Sequence, residues 1–247
     1  MLIDLFRSGL SPQEIIYYII IYIFAMVLAF SIHEFMHAAT AVWLGDPTPQ
    51  NMGRLTLNPA AHVDPMGTVL LLVAGFGWGK PVLYNPTNLR RFKSSRWMNI
   101  MVHLAGVTGN FALSLVCSII GLLFAGLSIR FSAGTPGIIL KALSELFTYT
   151  YSFSMALLGF NLLPIPPLDG FHVLEELLPY RLKATNGYRK FEQISPMIIW
   201  IVFLVSTFTN TPVLSFVIGL IQLPFKWIIS VISIPFAMLF AWIGLGF

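Results

Sequence analysis

Long apolar runs constrain this chain more than any other feature of its sequence. Each is at least as long as the roughly 20 residues that an α-helix needs to cross a bilayer. The runs are Ile15–Leu44, Met98–Leu127, Ile138–Leu163 and Pro196–Phe247. Only 10% of the 247 residues are charged, against about 25% in a soluble domain. We therefore predict an all-α polytopic membrane protein with about five to six transmembrane helices, folded as one domain over residues 1–247.

Basic residues indicate which side of the membrane the loops face. Nine of the fourteen Lys and Arg residues fall in two segments, 80–96 and 181–190. Because cytoplasmic loops are rich in Lys and Arg, we expect both segments in the cytoplasm and the turn at 128–137 outside. The same bias accounts for the net charge of +4, so we infer no nucleic-acid partner.

One apolar segment, Met66–Gly79, is too short to cross the membrane. It contains four glycines and ends in alternating apolar residues. We expect a short re-entrant hairpin or strand near residues 66–79. Irregular backbone at membrane depth is tolerated only where it is buried in protein or lines a cavity, so this segment predicts a wet pocket.

Three ionisable residues interrupt the first apolar run, in the sequence HEFMH at 33–37. Residues four apart share one helix face, so His33 and His37 can bind the same metal ion while Glu34 reaches its water. An ionised side chain at the centre of a span costs roughly 2.5 to 3.5 kcal/mol, so such residues are kept for pairing or for function. Interhelical hydrogen bonds are the alternative interpretation.

A catalytic zinc site needs a third protein ligand and leaves its fourth position open. Asp169 is the candidate, because it ends the stretch GFNLLPIPPLDG (Gly159–Gly170) immediately after a span. The three prolines of this stretch break the helix, and unwound backbone at membrane depth must be buried or line a cavity. At 1.5 Å per residue, His33 lies at a depth that Asp169 can reach. An ordinary proline-rich turn is the alternative.

Together, HEFMH (His33–His37) and NLLPIPPLDG (Asn161–Gly170) resemble the two motifs of the site-2 protease family of intramembrane zinc metalloproteases. The resemblance is to compact bacterial members without a PDZ or CBS domain, and it covers most of residues 30–172. It implies a catalytic core over about 15–172, followed by C-terminal spans over about 196–247. Where the family usually has a proline, in the segment AGVTGN, this chain has Val107, so no kink is implied there.

The resemblance also implies roles for individual residues. His33, His37 and Asp169 match the ligands of one Zn2+ ion per chain. Glu34 matches the general base, and Asn161 matches an asparagine that helps hold the substrate or the developing oxyanion. The implied function is hydrolysis of peptide bonds within or near the transmembrane helices of membrane-protein substrates, in regulated intramembrane proteolysis.

We accordingly expect a multi-pass protein of the cell membrane with its active site toward the cytoplasmic side. Its partners would be transmembrane protein substrates and the lipid bilayer, and the sequence leaves its oligomeric state open. The alternative is a non-catalytic membrane protein, either a metal transporter or a pseudo-protease that binds membrane helices. A transporter should show ligands on several spans or an inverted repeat, and a pseudo-protease should lack Glu34 or a ligand; neither pattern is present.

Two residues between the motifs, His62 and Asp64, allow two interpretations. His62 can contact a metal ligand or bind the ion itself in a resting state, and Asp64 can orient a metal-binding imidazole, as carboxylates around metal sites do. They can equally anchor their own loop through local hydrogen bonds.

Overall fold

A computed structural model of the chain describes residues 9–74, 77–209 and 213–245. Over these ranges every regular element is helical, and β-pairing is limited to one isolated bridge between Val63 and Gly79. The all-α expectation is confirmed. The α-helices are α1 (Pro12–Trp43), α2 (Thr48–Asn51), α3 (Pro65–Ala74), α4 (Ser95–Arg130), α5 (Gly134–Asn161), α6 (Asp169–Leu177), α7 (Tyr180–Lys183), α8 (Asn186–Thr209) and α9 (Val213–Trp242).

The membrane-crossing helices can be identified by length and composition. Among the described residues, α1, α4 and α9 are long and apolar enough to span a bilayer. Helix α5 has 28 residues and is therefore about 42 Å long, but its middle is rich in Ser, Thr and Tyr. It packs against α1, α4 and α9, and two of its hydroxyl residues, Thr150 and Ser154, are fully buried. The protein is a membrane protein, and the expected five to six spans stay a prediction.

Helix α1 begins and continues as its sequence dictates. Ser11 and Glu14 form a capping box at its start, and Pro12 occupies the first helical position, where a missing N–H costs nothing. No glycine or proline follows until Gly45, whose φ of +111° lies in the left-handed region just after the helix. The HEFMH sequence therefore lies in the second half of one unbroken helix.

The bundle core lies where α4, α5 and α9 meet. Val107, Met155, Leu158 and Ile229 form a buried cluster at this junction. Near the start of α1, Tyr22 packs edge-on against Tyr149 of α5, with ring centroids 4.5 Å apart. These contacts align α5 with α1. The C-terminal ends of both helices lie at the end of the bundle where α4 begins.

The segment near 66–79, which we expected to form a hairpin or strand, is helical in its first part. Helix α3 covers Pro65–Ala74, because the Asp64 carboxylate accepts a hydrogen bond from the N–H of Gly67 at 2.9 Å and caps the first turn. Residues 75 and 76 lie outside the described residues. The chain then returns along α3, where Gly67 lies against the backbone of Trp78, and strand pairing is confined to the bridge at Gly79.

A buried carboxylate joins the end of α1 to the loop that leads into α4. Asp46 is fully buried and accepts hydrogen bonds from the Thr48 hydroxyl at 2.6 Å, the Asn85 N–H at 2.6 Å and the Asn88 amide at 2.9 Å. Burial raises the pKa of the Asp46 carboxyl, but these hydrogen bonds lower it by more, and the net pKa lies below its usual value.

We expect Asp46→Asn to destabilise the fold by about 1.5–3 kcal/mol, the range for hydrogen bonds to a charged group. In the variant, the new amide nitrogen is itself a donor and would face N–H or O–H groups that now donate to the carboxylate. Because the folded-state pKa is lowered, this stabilisation is complete above about pH 3.9 and is lost as pH falls through the folded-state value. Thermal unfolding in detergent at pH 3 to 7 should show the difference between wild type and variant shrinking at acid pH.

The matched control for Asp46 is Asp64→Asn, since asparagine caps a helix about as well as aspartate. It should change thermal unfolding little at any of these pH values. Equal destabilisation by both variants would contradict the special role of Asp46.

Candidate metal centre

Two histidines of α1 face the same buried point. His33 and His37 are one helical turn apart, and both are buried. Their Nε2 atoms lie 3.1 Å from each other. The spacing of four residues thus directs two imidazole nitrogens to one place, as expected from their common helix face.

Asp169 reaches this point from a distant part of the sequence, the start of α6. Helix α5 ends at Asn161, seven residues follow without regular structure, and α6 begins at Asp169. A Cβ on Gly170 would lie 2.9 Å from the Leu163 carbonyl oxygen and closer still to Leu162. Only glycine therefore lets α6 start so close to the end of α5, and this turn brings the Asp169 carboxylate to the histidines.

The three side chains fit a shared metal ion. Asp169 Oδ2 lies 3.3 Å from the Nε2 atom of each histidine, and the three residues form the metal-binding group found among the described residues. Ligand atoms around a tetrahedral zinc ion lie roughly 3.3 to 3.4 Å apart, given metal–ligand bonds of about 2.0–2.1 Å. Asp169 Oδ2 is buried and lacks hydrogen-bond geometry with any described residue, as suits an atom that is directed at a cation.

Contacts from α4 hold the histidines in place. The Nδ1–H of His37 donates to the Val102 carbonyl at 2.7 Å, which leaves Nε2 with a free lone pair for a metal. Helix α4 approaches closely because residue 106 is glycine: an added Cβ would lie 2.6 Å from His33 Cε1 and nearer still to His37 Nε2. Sequence reasoning missed both contacts, although small residues on one face of a span are the usual sign of a close helix pair.

Glu34 lies beside the metal-binding group without belonging to it. It is half-buried, and its Oε2 accepts a hydrogen bond from the backbone N–H of Val82 at 2.9 Å. The loop of residues 80–84 therefore passes over this part of α1. A carboxylate that is close to a metal site but not used as a ligand can exchange protons with a reacting molecule.

Asn161 makes no hydrogen bond to this group among the described residues. It is the last residue of α5, and its amide donates to the Leu157 carbonyl of its own helix at 3.1 Å. Its chemical role stays a prediction.

His62 and Asp64, whose role the sequence left open, have partners in their own part of the chain. His62 is fully buried, and its Nε2 lies 2.7 Å from the Thr56 carbonyl oxygen, while Asp64 caps α3. The structure thus favours the loop-anchoring interpretation for both. His103 and His172, to which the sequence assigns no role, stack with ring centroids 4.7 Å apart.

Comparison with known proteins places these residues in a wider context. The model of peptidase family M50 matches residues 21–206. A Bacillus subtilis protein named "Putative zinc metalloprotease YwhC" is 37% identical over 173 residues, which cover 70% of this chain and 74% of that relative. No solved structure matches this chain.

Mycobacterial relatives carry the name "Putative zinc metalloprotease Rip2". The protein of Mycobacterium tuberculosis (strain ATCC 35801) is 31% identical over 189 residues, covering 72% of this chain and 68% of the relative. That of Mycolicibacterium smegmatis is 30% identical over 171 residues, covering 67% of this chain and 60% of the relative.

Proposed function

This chain belongs to peptidase family M50, and on that premise we propose that it hydrolyses peptide bonds within or near the transmembrane helices of other membrane proteins. The family and the names of the relatives identify Zn2+ as the cofactor of this metallopeptidase. One observation carries the proposal. The metal-binding histidines lie on α1, which is itself long and apolar enough to cross a membrane.

In this proposal His33, His37 and Asp169 hold one Zn2+ ion. When bound, the ion acidifies a water molecule and polarises the scissile carbonyl. Two imidazoles and a carboxylate with an open position are the donor set of a catalytic zinc site, and the 3.1–3.3 Å separations of their ligand atoms support it.

Glu34 is the proposed general base and acid. Its carboxylate takes a proton from the attacking water and passes it to the leaving amine. The hydrogen bond from the Val82 N–H fixes one carboxylate oxygen and thereby orients the group. Asn161 is proposed as an additional donor to the substrate carbonyl. In that role its amide would release the Leu157 carbonyl and donate to the substrate carbonyl instead.

We further propose a multi-pass protein of the cell membrane with the site toward the cytoplasm. The support is the position of the two basic segments. Segment 80–96 leads into α4 and segment 181–190 follows α6, so both lie at the end of the bundle that contains Asp169. Transmembrane protein substrates would reach the site from the lipid bilayer, and the reaction would serve regulated intramembrane proteolysis.

The test uses the full chain in liposomes with a tagged single-span substrate. We expect cleavage within or beside the span, mapped by mass spectrometry of both fragments. Removing zinc with a chelator should abolish cleavage, and added zinc should restore it. Activation of the water and polarisation of the carbonyl both depend on the bound ion. The same substrate sequence as a soluble peptide is the matched control for membrane location.

Two results would contradict the proposal. Stoichiometric zinc without cleavage of any membrane helix in a panel would favour the metal-transport or pseudo-protease alternative. Cleavage of the soluble peptide alone would leave a metallopeptidase that does not act in the membrane.

A further inference from the structure

We propose that Asn110 of α4 positions His33 for metal binding by serving as the hydrogen-bond partner of its second ring nitrogen. The inference rests on the zinc site of the proposed function. Asn110 is fully buried, and its carboxamide nitrogen lies 3.3 Å from His33 Nδ1. No other described side chain is recorded in hydrogen-bond contact with that nitrogen.

The chemistry of the metal-bound ring requires an acceptor at this position. A neutral imidazole that binds zinc through Nε2 carries its hydrogen on Nδ1. For His37 the acceptor is the Val102 carbonyl, 2.7 Å from Nδ1. His33 points its Nε2 at the same centre, 3.3 Å from Asp169 Oδ2, so its Nδ1–H needs an equivalent partner.

The Asn110 carboxamide contains this acceptor. Its Oδ1 is buried and accepts no hydrogen bond from the described part of the chain, and a buried polar atom without a partner is costly. The two ends of a carboxamide are nearly the same size. A half-turn of the group therefore replaces Nδ2 by Oδ1 beside His33 without disturbing the packing.

Asn110 can thus serve both states of His33. Without metal, Nδ2 donates to a bare Nδ1, which leaves the ring hydrogen on Nε2. With metal, Oδ1 accepts from Nδ1–H, and the lone pair of Nε2 is free for the ion. An aliphatic side chain of similar volume can do neither, whereas a carboxylate can accept but not donate.

The experiment measures zinc affinity rather than proteolysis. The full chain is purified in detergent, and its zinc dissociation constant is determined by competition with a chromophoric chelator. We expect Asn110→Leu to weaken zinc binding about 10- to 100-fold, the range for losing a partner of a metal-bound histidine. Asn110→Asp should bind zinc within a few-fold of wild type because it keeps the acceptor.

The matched control is Ser114→Ala, one helical turn further along α4. Ser114 is fully buried, and its hydroxyl has no recorded partner among the described residues. It thus tests the loss of a buried polar group on the same helix face as Asn110 that makes no hydrogen bond to either histidine. Its zinc affinity should equal that of wild type. If Asn110→Leu fails to fold in detergent, Asn110→Ala replaces it in the same comparison.

Two outcomes would overturn the role of Asn110. Wild-type affinity in Asn110→Leu or Asn110→Ala would show that His33 needs no such partner. Equal weakening in Asn110→Asp and Asn110→Leu would show that packing, and not the acceptor, matters. Absence of zinc binding in the wild type would instead overturn the metal site itself, and with it the proposed function.

Discussion

Glu34→Gln should abolish cleavage of a transmembrane substrate while leaving the zinc content of the protein unchanged. General acid–base catalysis by one side chain contributes about 10²- to 10⁴-fold, and glutamine can neither take up nor release the proton. Zinc should be retained because Glu34 is not among the three residues whose ligand atoms converge. The measurement pairs the rate of cleavage with the zinc-to-protein ratio of the same preparation.

The fold should survive this substitution. The Glu34 carboxylate accepts one hydrogen bond, from the Val82 N–H at 2.9 Å, and the carbonyl oxygen of glutamine can accept the same bond. Glu145→Gln is a suitable control, since Glu145 is a half-buried carboxylate that accepts from the Tyr17 hydroxyl at 2.8 Å at the other end of α1. It should cleave and bind zinc as wild type does. Normal cleavage by Glu34→Gln would exclude Glu34 as the base.

The parts of the centre that depend on local sequence could be predicted. His33 and His37 share a face because they are four residues apart on a helix without interruption. Asp169 stands out because prolines end the preceding helix and Gly170 permits the next to start at once. These features act within a few residues, and the structure brings the three side chains within 3.3 Å of one another.

The contacts between helices could not be predicted in the same way. Helices α1 and α4 are apolar on nearly every side, so hydrophobic periodicity does not indicate which face is turned inward. The Val102 carbonyl and Asn110 contact the histidines only because α4 is rotated as it is. Gly106 and Asn110, four residues apart, were the available signal, since small and polar residues mark helix contacts in membranes.

Local capping explains how residues 66–79 differ from the expected extended backbone. For residues 66–79 the glycines suggested extended backbone, yet the cap from Asp64 to Gly67 starts a helix at Pro65. The polar middle of α5 lies within one of the apolar runs that we expected to span the membrane. Two of its hydroxyl residues, Thr150 and Ser154, are fully buried, whereas the exposed Thr148 and Ser152 donate to carbonyls of their own helix.

Gly106→Ala should disable metal binding although it adds a single methyl group. The new Cβ would lie 2.6 Å from His33 Cε1 and 2.7 Å from His33 Nδ1, distances that real Cβ atoms do not adopt. His37 cannot yield easily, because its Nδ1 is bound to the Val102 carbonyl of the same helix α4. Either the imidazole rings turn or α4 moves away from α1, and both changes separate the ligand atoms.

We expect zinc affinity to fall in Gly106→Ala by more than the 10- to 100-fold typical for losing a partner of a metal ligand, with cleavage falling in parallel. Gly121→Ala is the matched control on the same helix, since its Cβ would meet only ordinary contacts, the nearest being Phe147 Cβ at 3.5 Å. It should bind zinc normally. Because alanine favours helix over glycine, a loss confined to Gly106→Ala must come from the clash with the histidines. Wild-type zinc affinity in Gly106→Ala would mean that α1 and α4 are far enough apart to accommodate the added methyl group.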